Sequence, residues 1–400
     1  MNHIIDKDNC TGCHSCRSAC PIQCIAMVSD NEGFCIPMKD EAKCTSCNLC
    51  TLHCAQNANI TTKKCIKVFG AKYINDKILF QSASGGVFTG LARKILESPE
   101  GIVFGCVFDD ELVARHICIS NLSDIEALQS SKYVQSDVGD TYQQAKQYLD
   151  TNRNVLFSGT PCQIAGLKCF LNKDYINLLT VDLICHGVPS PLLFKRYLNR
   201  ISRKYNDKIT HFNFRTKAKN GWGLMTLVKT SKKEKYIVPA LDPYYSSFLD
   251  GKTYRECCYT CKYASSHSLA DITIGDFWGV ETAHPEFFDR KGVSAVLINT
   301  TKGEKAIESV KDSFYFIEST FDIVAKGNLN LRTPTPRPKI RDIIYTDIND
   351  ESIDIFEKSY FKIRLRQYLF VYIKIFAKKI LPVKVINAIK SRSFKQCKAD

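Results

Sequence analysis

Eight cysteines near the N-terminus stand in two arrays of identical internal spacing: Cys10, Cys13, Cys16 and Cys20, followed by Pro21, and then Cys44, Cys47, Cys50 and Cys54. Thiolates at intervals of x2, x2 and x3 ligate iron–sulfur clusters, three of one run wrapping a 4Fe-4S cubane while the fourth reaches across to its neighbour. By that rule Cys10, Cys13, Cys16 and Cys54 hold one cluster, and Cys44, Cys47, Cys50 and Cys20 the other. The chemistry this predicts is electron transfer. Two other readings of Cys-x-x-Cys units compete. Closed zinc sites use such pairs, although tripled spacing with a trailing x3 is rare among them. A disulfide scaffold requires a secreted chain. Residues 1–8 are polar and charged and no apolar stretch follows, so no secretory signal is read here. Ala55 stands where a proline often follows the last ligand, and ligation does not depend on it.

A lone ferredoxin-type module needs far fewer than 400 residues, and ordinary domain sizes predict two or three domains. Twenty cysteines without a secretory signal fit a reducing compartment, where thiols serve metals or catalysis. The expected location is cytoplasmic, with the periphery of a membrane as the variant that the C-terminus suggests. The formal charge of +14 looks like a nucleic-acid or membrane signal until it is located. Twelve basic residues and no acidic one fall within residues 358–399, which leaves the remaining chain almost neutral. Interleaved base-reading motifs are missing, so no nucleic-acid partner is expected. Within residues 360–381 basic side chains interrupt the apolar ones too often for the roughly 20 apolar residues of a membrane span. Phe361, Leu365, Tyr368, Leu369, Tyr372, Ile375 and Phe376, with lysines and arginines between them, suit an interfacial basic helix. Such a tail docks on an anionic membrane surface or an acidic partner, or else packs on the domain with its basic face solvated.

The elements that must position any further chemistry alternate between strand-like and helix-like runs. Residues 1–65 form the cysteine module, with short strands expected around each array. Residues 68–80 have strand composition, and Ser82-Ala-Ser-Gly-Gly86 then leads into a helical stretch over Val87–Leu96. Buried strands are predicted over Gly101–Phe108 and residues 112–120, and a helix over residues 142–149. Short apolar strands at residues 155–157 and 178–184 end at Ser158-Gly-Thr-Pro-Cys162 and Cys185-His-Gly-Val-Pro189. This alternation predicts an α/β core, in which ligands sit at the carboxyl ends of the strands. Later, Arg255-Glu-Cys-Cys-Tyr-Thr-Cys261 adds a Cys-x-x-Cys pair. Four thiols from these segments could hold one further cluster, or Cys162 and Cys185 could be small core residues. The turn containing Ser82, Ser84, Gly85 and Gly86 offers backbone N–H groups at a helix N-terminus, which suits a pyrophosphate. Without further context it is equally an ordinary strand-to-helix turn, and no G-x-G-x-x-G fingerprint accompanies it.

Five separated motifs add context: Ser84-Gly-Gly-Val-Phe-Thr89, Lys132-Tyr-Val-Gln-Ser136, Gly159-Thr-Pro-Cys-Gln163, Asp182-Leu-Ile-Cys-His-Gly187 and residues 270–279. In this order they resemble the coenzyme F420 hydrogenase/dehydrogenase beta-subunit family over most of the chain, and the layout is similar to that of bacterial members from polysaccharide-biosynthesis gene sets. The resemblance implies an α+β ferredoxin-like dicluster domain (1–65), an α/β flavin and iron-sulfur domain (66–340) and a basic helical C-terminal tail (341–400). It implies FAD, and a third 4Fe-4S cluster on Cys162, Cys185, Cys258 and Cys261. Cys257 remains an alternative to Cys258, which keeps the x2 spacing to Cys261. Tyr133, Gln135, Ser136, Gly159 and Thr160 become expected flavin neighbours. His186 either donates a proton to reduced substrate or flavin, or supports the cluster loop. Arg215, Lys217 and Trp222 line an acidic-substrate pocket or form a solvated turn, and Asp276 bonds backbone nearby. Cys24, Cys35, Cys65, Cys106, Cys118, Cys169 and Cys397 match no ligand position and are assigned to packing. The implied activity is an iron–sulfur flavoprotein oxidoreductase passing electrons between clusters, FAD and an organic substrate, with a redox partner protein or ferredoxin. The alternative is a non-catalytic electron-transfer subunit feeding a partner enzyme, with clusters and no flavin.

Overall fold

The computed structural model describes residues 4–58, 61–361, 363, 368–369 and 371–373. Its centre is a mixed eight-stranded sheet, in the order Phe314–Glu318, Lys67–Tyr73, Ser294–Ile298, Ile272–Asp276, Leu178–Leu183, Asn154–Gly159, Gly101–Phe108 and Ala114–Ile119. The four strands from Ile272–Asp276 to Gly101–Phe108 run parallel, and antiparallel strands flank them on both sides. Continuous apolar runs are what parallel strands covered on both faces require. Leu156, Val181 and Ile272 pack under the helix Val87–Leu96 on one face, while Val155 and Phe157 meet the helices Thr141–Asp150 and Pro161–Leu171 on the other.

Local signals set the element boundaries. Helix Pro161–Leu171 starts at a capping box formed by Thr160 and Gln163, with proline in its first turn, and ends at Asn172 in the left-handed region. Ser190 caps helix Pro191–Tyr205 by accepting from the Leu193 amide at 3.1 Å. The strand expected over residues 68–80 stops at Tyr73, because Asn75 accepts from the amides of Lys77 and Ile78 and starts the helix Asp76–Gln81. A well-placed cap outweighs β-rich composition there. The strands expected around each cysteine array are instead one hairpin between the arrays, Ile25–Ser29 with Cys35–Lys39. Lys63–Lys64 pairs with His267–Ser268 and so ties the N-terminal module to the larger unit.

A second, aromatic core lies beside the sheet, under a three-stranded antiparallel sheet ordered Glu234–Ile237, Thr226–Thr230 and Ile209–Asn213. Phe194, Tyr197, Phe212, Phe214 and Tyr244 fill it, with Phe212 and Phe214 edge to face at 4.6 Å. Ile344, Tyr345, Ile348, Ile355, Phe356 and Phe361 are buried in the same core, and Tyr345 stands 5.5 Å from Phe34 of the N-terminal hairpin region. Residues 340–361 therefore clasp both parts of the molecule. Most of the basic helix expected over residues 360–381 lies outside the described residues. Among the described residues, no helix is long and apolar enough to cross a membrane.

One buried carboxyl in this core gives a pH test. Asp242 caps helix Pro243–Leu249 by accepting from the Tyr245 amide at 2.7 Å, and it also accepts from the Tyr197 hydroxyl at 2.5 Å. Burial pushes its pKa from 3.8 up to about 6, against those hydrogen bonds. Below pH 4 the group is neutral folded or unfolded; above it the unfolded chain ionises first, so folded-state stability is lost as pH rises through about 6. Urea denaturation of native protein and Asp242→Asn at pH 4 and pH 6.5 should show the native protein losing up to about 3 kcal/mol relative to the variant. A difference that does not move with pH contradicts the assignment.

Candidate iron–sulfur and cofactor site

The two N-terminal arrays share one backbone path. Gly12 and His14 have φ of 65° and 67°, and Ser46 and Asn48, at the same offsets after Cys44, have φ of 56° and 58°. Left-handed backbone is costly for three of these four residues, and its repetition marks a shape imposed for a purpose. The path curls the amides of Gly12 and Ser46 onto the sulfurs of Cys10 and Cys44, at 3.3 and 3.4 Å. Cys10, Cys13 and Cys16 line one small cavity together with Cys54 of the other array. Burial, reinforced by the neighbouring thiols, pushes Cys13 up to about 12 and Cys16 higher still. Such thiols become ligands when a metal supplies the compensating charge. Cys20 packs with Cys44 and Cys50 in a second group, and Cys47 is exposed. Cys24, assigned to packing from its spacing, joins that group with its sulfur 3.5 Å from that of Cys20. Among the described residues no three Cys, His, Asp or Glu side chains close around a single ion.

The third thiol group lines a cavity of about 480 Å3, within the range of ligand sites. Strand Asn154–Gly159 delivers Cys162 in the first turn of its helix, where the Thr160 hydroxyl oxygen lies 3.2 Å from the sulfur. Strand Leu178–Leu183 delivers Cys185, which burial pushes up to about 12 while the Gly187 amide opposes the rise. Gly187 has φ of 137°, and a Cβ there would meet the Tyr254 ring at 2.4 Å. Cys257, Cys258 and Cys261 reach the same cavity from the loop before Ile272–Asp276. Cys257 is buried and lies in the electrostatic reach of Cys162, Cys185 and Cys261, whereas Cys258 also packs against the aromatic core. The donor set fits a 4Fe-4S cluster with one thiol to spare.

Ser82, Ser84, Gly86, Tyr133, Gln135, Ser136, Gly159, Thr160 and His186 line that same cavity, and Gly85 does not. Gly85 serves the wall: its amide donates to Ser294 Oγ, and a Cβ there would stand 2.0 Å from the Ala71 carbonyl oxygen. Gln135 spends its side-chain amide on the N-terminal module, accepting from the Cys35 amide at 3.0 Å and donating to the Thr11 carbonyl. Ser136 is held by Gln163 at 2.9 Å and by the His116 ring at 3.2 Å. Burial lowers the pKa of His186, with Asp276 opposing, so the ring is neutral at neutral pH.

Arg215 is not a free substrate-facing cation. It is buried and spends five donors: two on Asp276 at 2.7 and 2.9 Å, and one each on Tyr133 Oη and the carbonyls of Ala83 and Gly223. Burial acts against the Asp276 carboxylate, yet the guanidinium holds it below the usual range. Trp222 donates to Asp276 at 2.7 Å and stacks on Trp278 at 5.1 Å. Lys217 bonds the carbonyls of Leu79 and Ser84, and burial pushes it down to about 7. Two cavity residues open motifs that are read only for their neighbours. Lys132 is bound to the carbonyls of Ala127, Gln129 and Ser130, and Asp182 accepts from Ser268 with its other oxygen unpartnered beside Thr273. Lys132 falls inside a motif read for its neighbours, and Asp182 three residues before Cys185 reads as ordinary strand.

Cysteine groups of this kind on a mixed sheet suit iron–sulfur chemistry. Residues 152–322 match the family described as the C terminus of the coenzyme F420 hydrogenase/dehydrogenase beta subunit, and residues 1–22 match a 4Fe-4S binding domain. A solved structure similar to it is that of the F420-reducing NiFe hydrogenase complex from Methanosarcina barkeri, at 19% identity over 75% of this chain and 94% of that chain, with a TM-score of 0.44. No curated protein matches the chain.

The spare thiol makes a specific expectation. Serine variants at Cys162, Cys185 and Cys261 should each lose about four irons per chain, and of Cys257→Ser and Cys258→Ser only one should do so. Loss in neither adjacent variant, with full loss in the other three, would instead mean that the pair substitutes freely.

Proposed function

We propose that this chain is an iron–sulfur flavoprotein oxidoreductase that passes electrons between ferredoxin-type 4Fe-4S clusters, FAD and an organic substrate of the coenzyme F420 type. The observation that carries this reading is a single cavity lined both by the third thiol group and by the expected flavin neighbours. FAD, when bound, exchanges electron pairs with an organic molecule and single electrons with iron–sulfur centres. The side chains then have distinct tasks. Cys10, Cys13, Cys16 and Cys54 hold an inner cluster against the sheet domain, and Cys20, Cys44, Cys47 and Cys50 hold an outer one. Exposed Cys47 makes that outer group the natural contact for a redox partner protein or ferredoxin. Cys162, Cys185, Cys261 and one of Cys257 and Cys258 hold the third.

Backbone amides at the N-terminus of helix Val87–Leu96 face a pyrophosphate, with Gly86 at φ 88° turning the chain into the helix. Arg215 and Lys217 hold that loop by its Ala83 and Ser84 carbonyls, so the cradle is set before any ligand arrives. His186 lines the cavity and is the proton donor to reduced substrate or flavin, its burial-lowered pKa making the protonated ring the stronger acid. The second reading, a flavin-free subunit feeding a partner enzyme, has one observation in its favour: Ile22, Met38 and Leu52 of the N-terminal module are exposed.

Anaerobic purification with iron, sulfide and flavin analysis separates the two. The oxidoreductase carries about twelve irons and one FAD per chain. About eight irons without flavin would leave only the carrier.

A further inference from the structure

Arg255 lies between two of the thiol groups and is only 3% exposed. Its backbone amide donates to the Val188 carbonyl at 2.9 Å, just before the turn Glu256–Cys258. Its side chain crosses to the N-terminal module, where Nε donates to the Cys10 carbonyl, Nη1 donates to the Cys35 carbonyl at 3.0 Å, and the guanidinium stacks over Phe34 at 5.3 Å. Among the described residues no carboxylate lies within ion-pair distance of it, and the groups that dominate its electrostatics are Cys10, then Cys257 and Cys258, then the more distant Asp30. Both carboxylates to consider are already engaged: Glu256, next in sequence, by Arg337 at 2.6 Å, and Asp30 by the amides of Glu32 and Phe34 at 2.9 and 2.8 Å.

A guanidinium taken out of water without a counter-charge is strongly disfavoured. Carbonyl dipoles and a ring face offset only part of that. The remaining partners are sulfurs: Cys10 on one side, and Cys257 and Cys258 on the other. Four thiolates around a 4Fe-4S core carry net negative charge, which grows by one unit on reduction. A fixed buried cation beside such a core favours its reduced state, and net charge and hydrogen bonding near the sulfurs are among the factors that set cluster potentials.

We infer that Arg255 is the shared counter-ion of the inner N-terminal cluster and the third cluster, raising the reduction potential of both and leaving the outer cluster untouched. This rests on the three-cluster reading above. Arg255 thereby acts as a positioning residue for electrons, working through cluster charge without touching substrate.

The test is a potentiometric titration followed by electron paramagnetic resonance, on the full-length native protein and on Arg255→Gln, Arg255→Met and Arg255→Lys, each assayed for iron. At the ambient potential that half-reduces each flanking cluster in the native protein, the reduced-to-oxidised ratio should fall at least tenfold in both neutral variants. That is 59 mV for a one-electron couple. The outer cluster should stay within threefold of its native ratio, and Arg255→Lys should keep all three within threefold. Unmoved ratios at full iron content, or an equal fall in the lysine variant, overturn the inference. Loss of iron from both neutral variants with the lysine variant intact assigns a structural role and overturns it as well. The native protein separates the two levels of failure: about eight irons per chain removes the three-cluster reading and the inference with it, whereas about twelve irons with unmoved ratios removes the inference alone.

Discussion

Helix Pro161–Leu171 carries Cys162 in its first turn and, four residues on, presses Gly166 against Cys13 of the first array; a Cβ on that glycine would lie 3.0 Å from the Cys13 sulfur. It would also stand 2.9 Å from the Tyr142 hydroxyl, so a larger residue must displace that ring or the Cys13 side chain. Tyr142 and Tyr263 fill the flanks, donating to the carbonyls of Gln163 at 2.6 Å and Ala55 at 3.0 Å. The seam is completed by Gln135, Arg255, and the Arg341 pair with Glu32. These contacts make the N-terminal module part of one packed body. Cores packed like this do not deform smoothly, so the spacing between thiol groups is fixed by side-chain volume.

The cavity wall uses a second device, a buried ion pair with all its remaining bonds satisfied. Breaking such a pair leaves an uncompensated charge, while the intact pair adds little net stability. Its value here is geometric. Arg215 gathers the Ala83 carbonyl, Tyr133 and Asp276 from three separate segments, and Trp222 locks the far carboxylate oxygen. Segments more than a hundred residues apart in the chain thereby form one surface facing the thiols.

Much of the sheet was legible because parallel strands must be apolar on both faces, and Gly101–Phe108 announces itself in that way. Thr160-Pro-Cys-Gln163 is read only as the end of a strand, although its capping box marks a helix start. The missed features depend on contacts that spacing does not encode. Arg215 in a polar turn gives no hint of a partner sixty-one residues away. Gln135 sits in a motif beside Tyr133, but its amide turns to the other module. Residues 340–361 read as the start of a basic tail, since their apolar positions follow no single period and only the fold shows them entering an aromatic core. Cys24 joined a thiol group although it stands outside the repeated spacing.

The proposed inner N-terminal cluster and third cluster would be neighbours within one rigid body. Magnetic interaction between reduced clusters measures this directly, in the native protein. On full reduction under anaerobic conditions, the signals of those two clusters should be mutually broadened and split, and Cys185→Ser should remove that part of the inner cluster's broadening while the part due to the outer cluster remains. Unbroadened, additive signals at full reduction would contradict the claim.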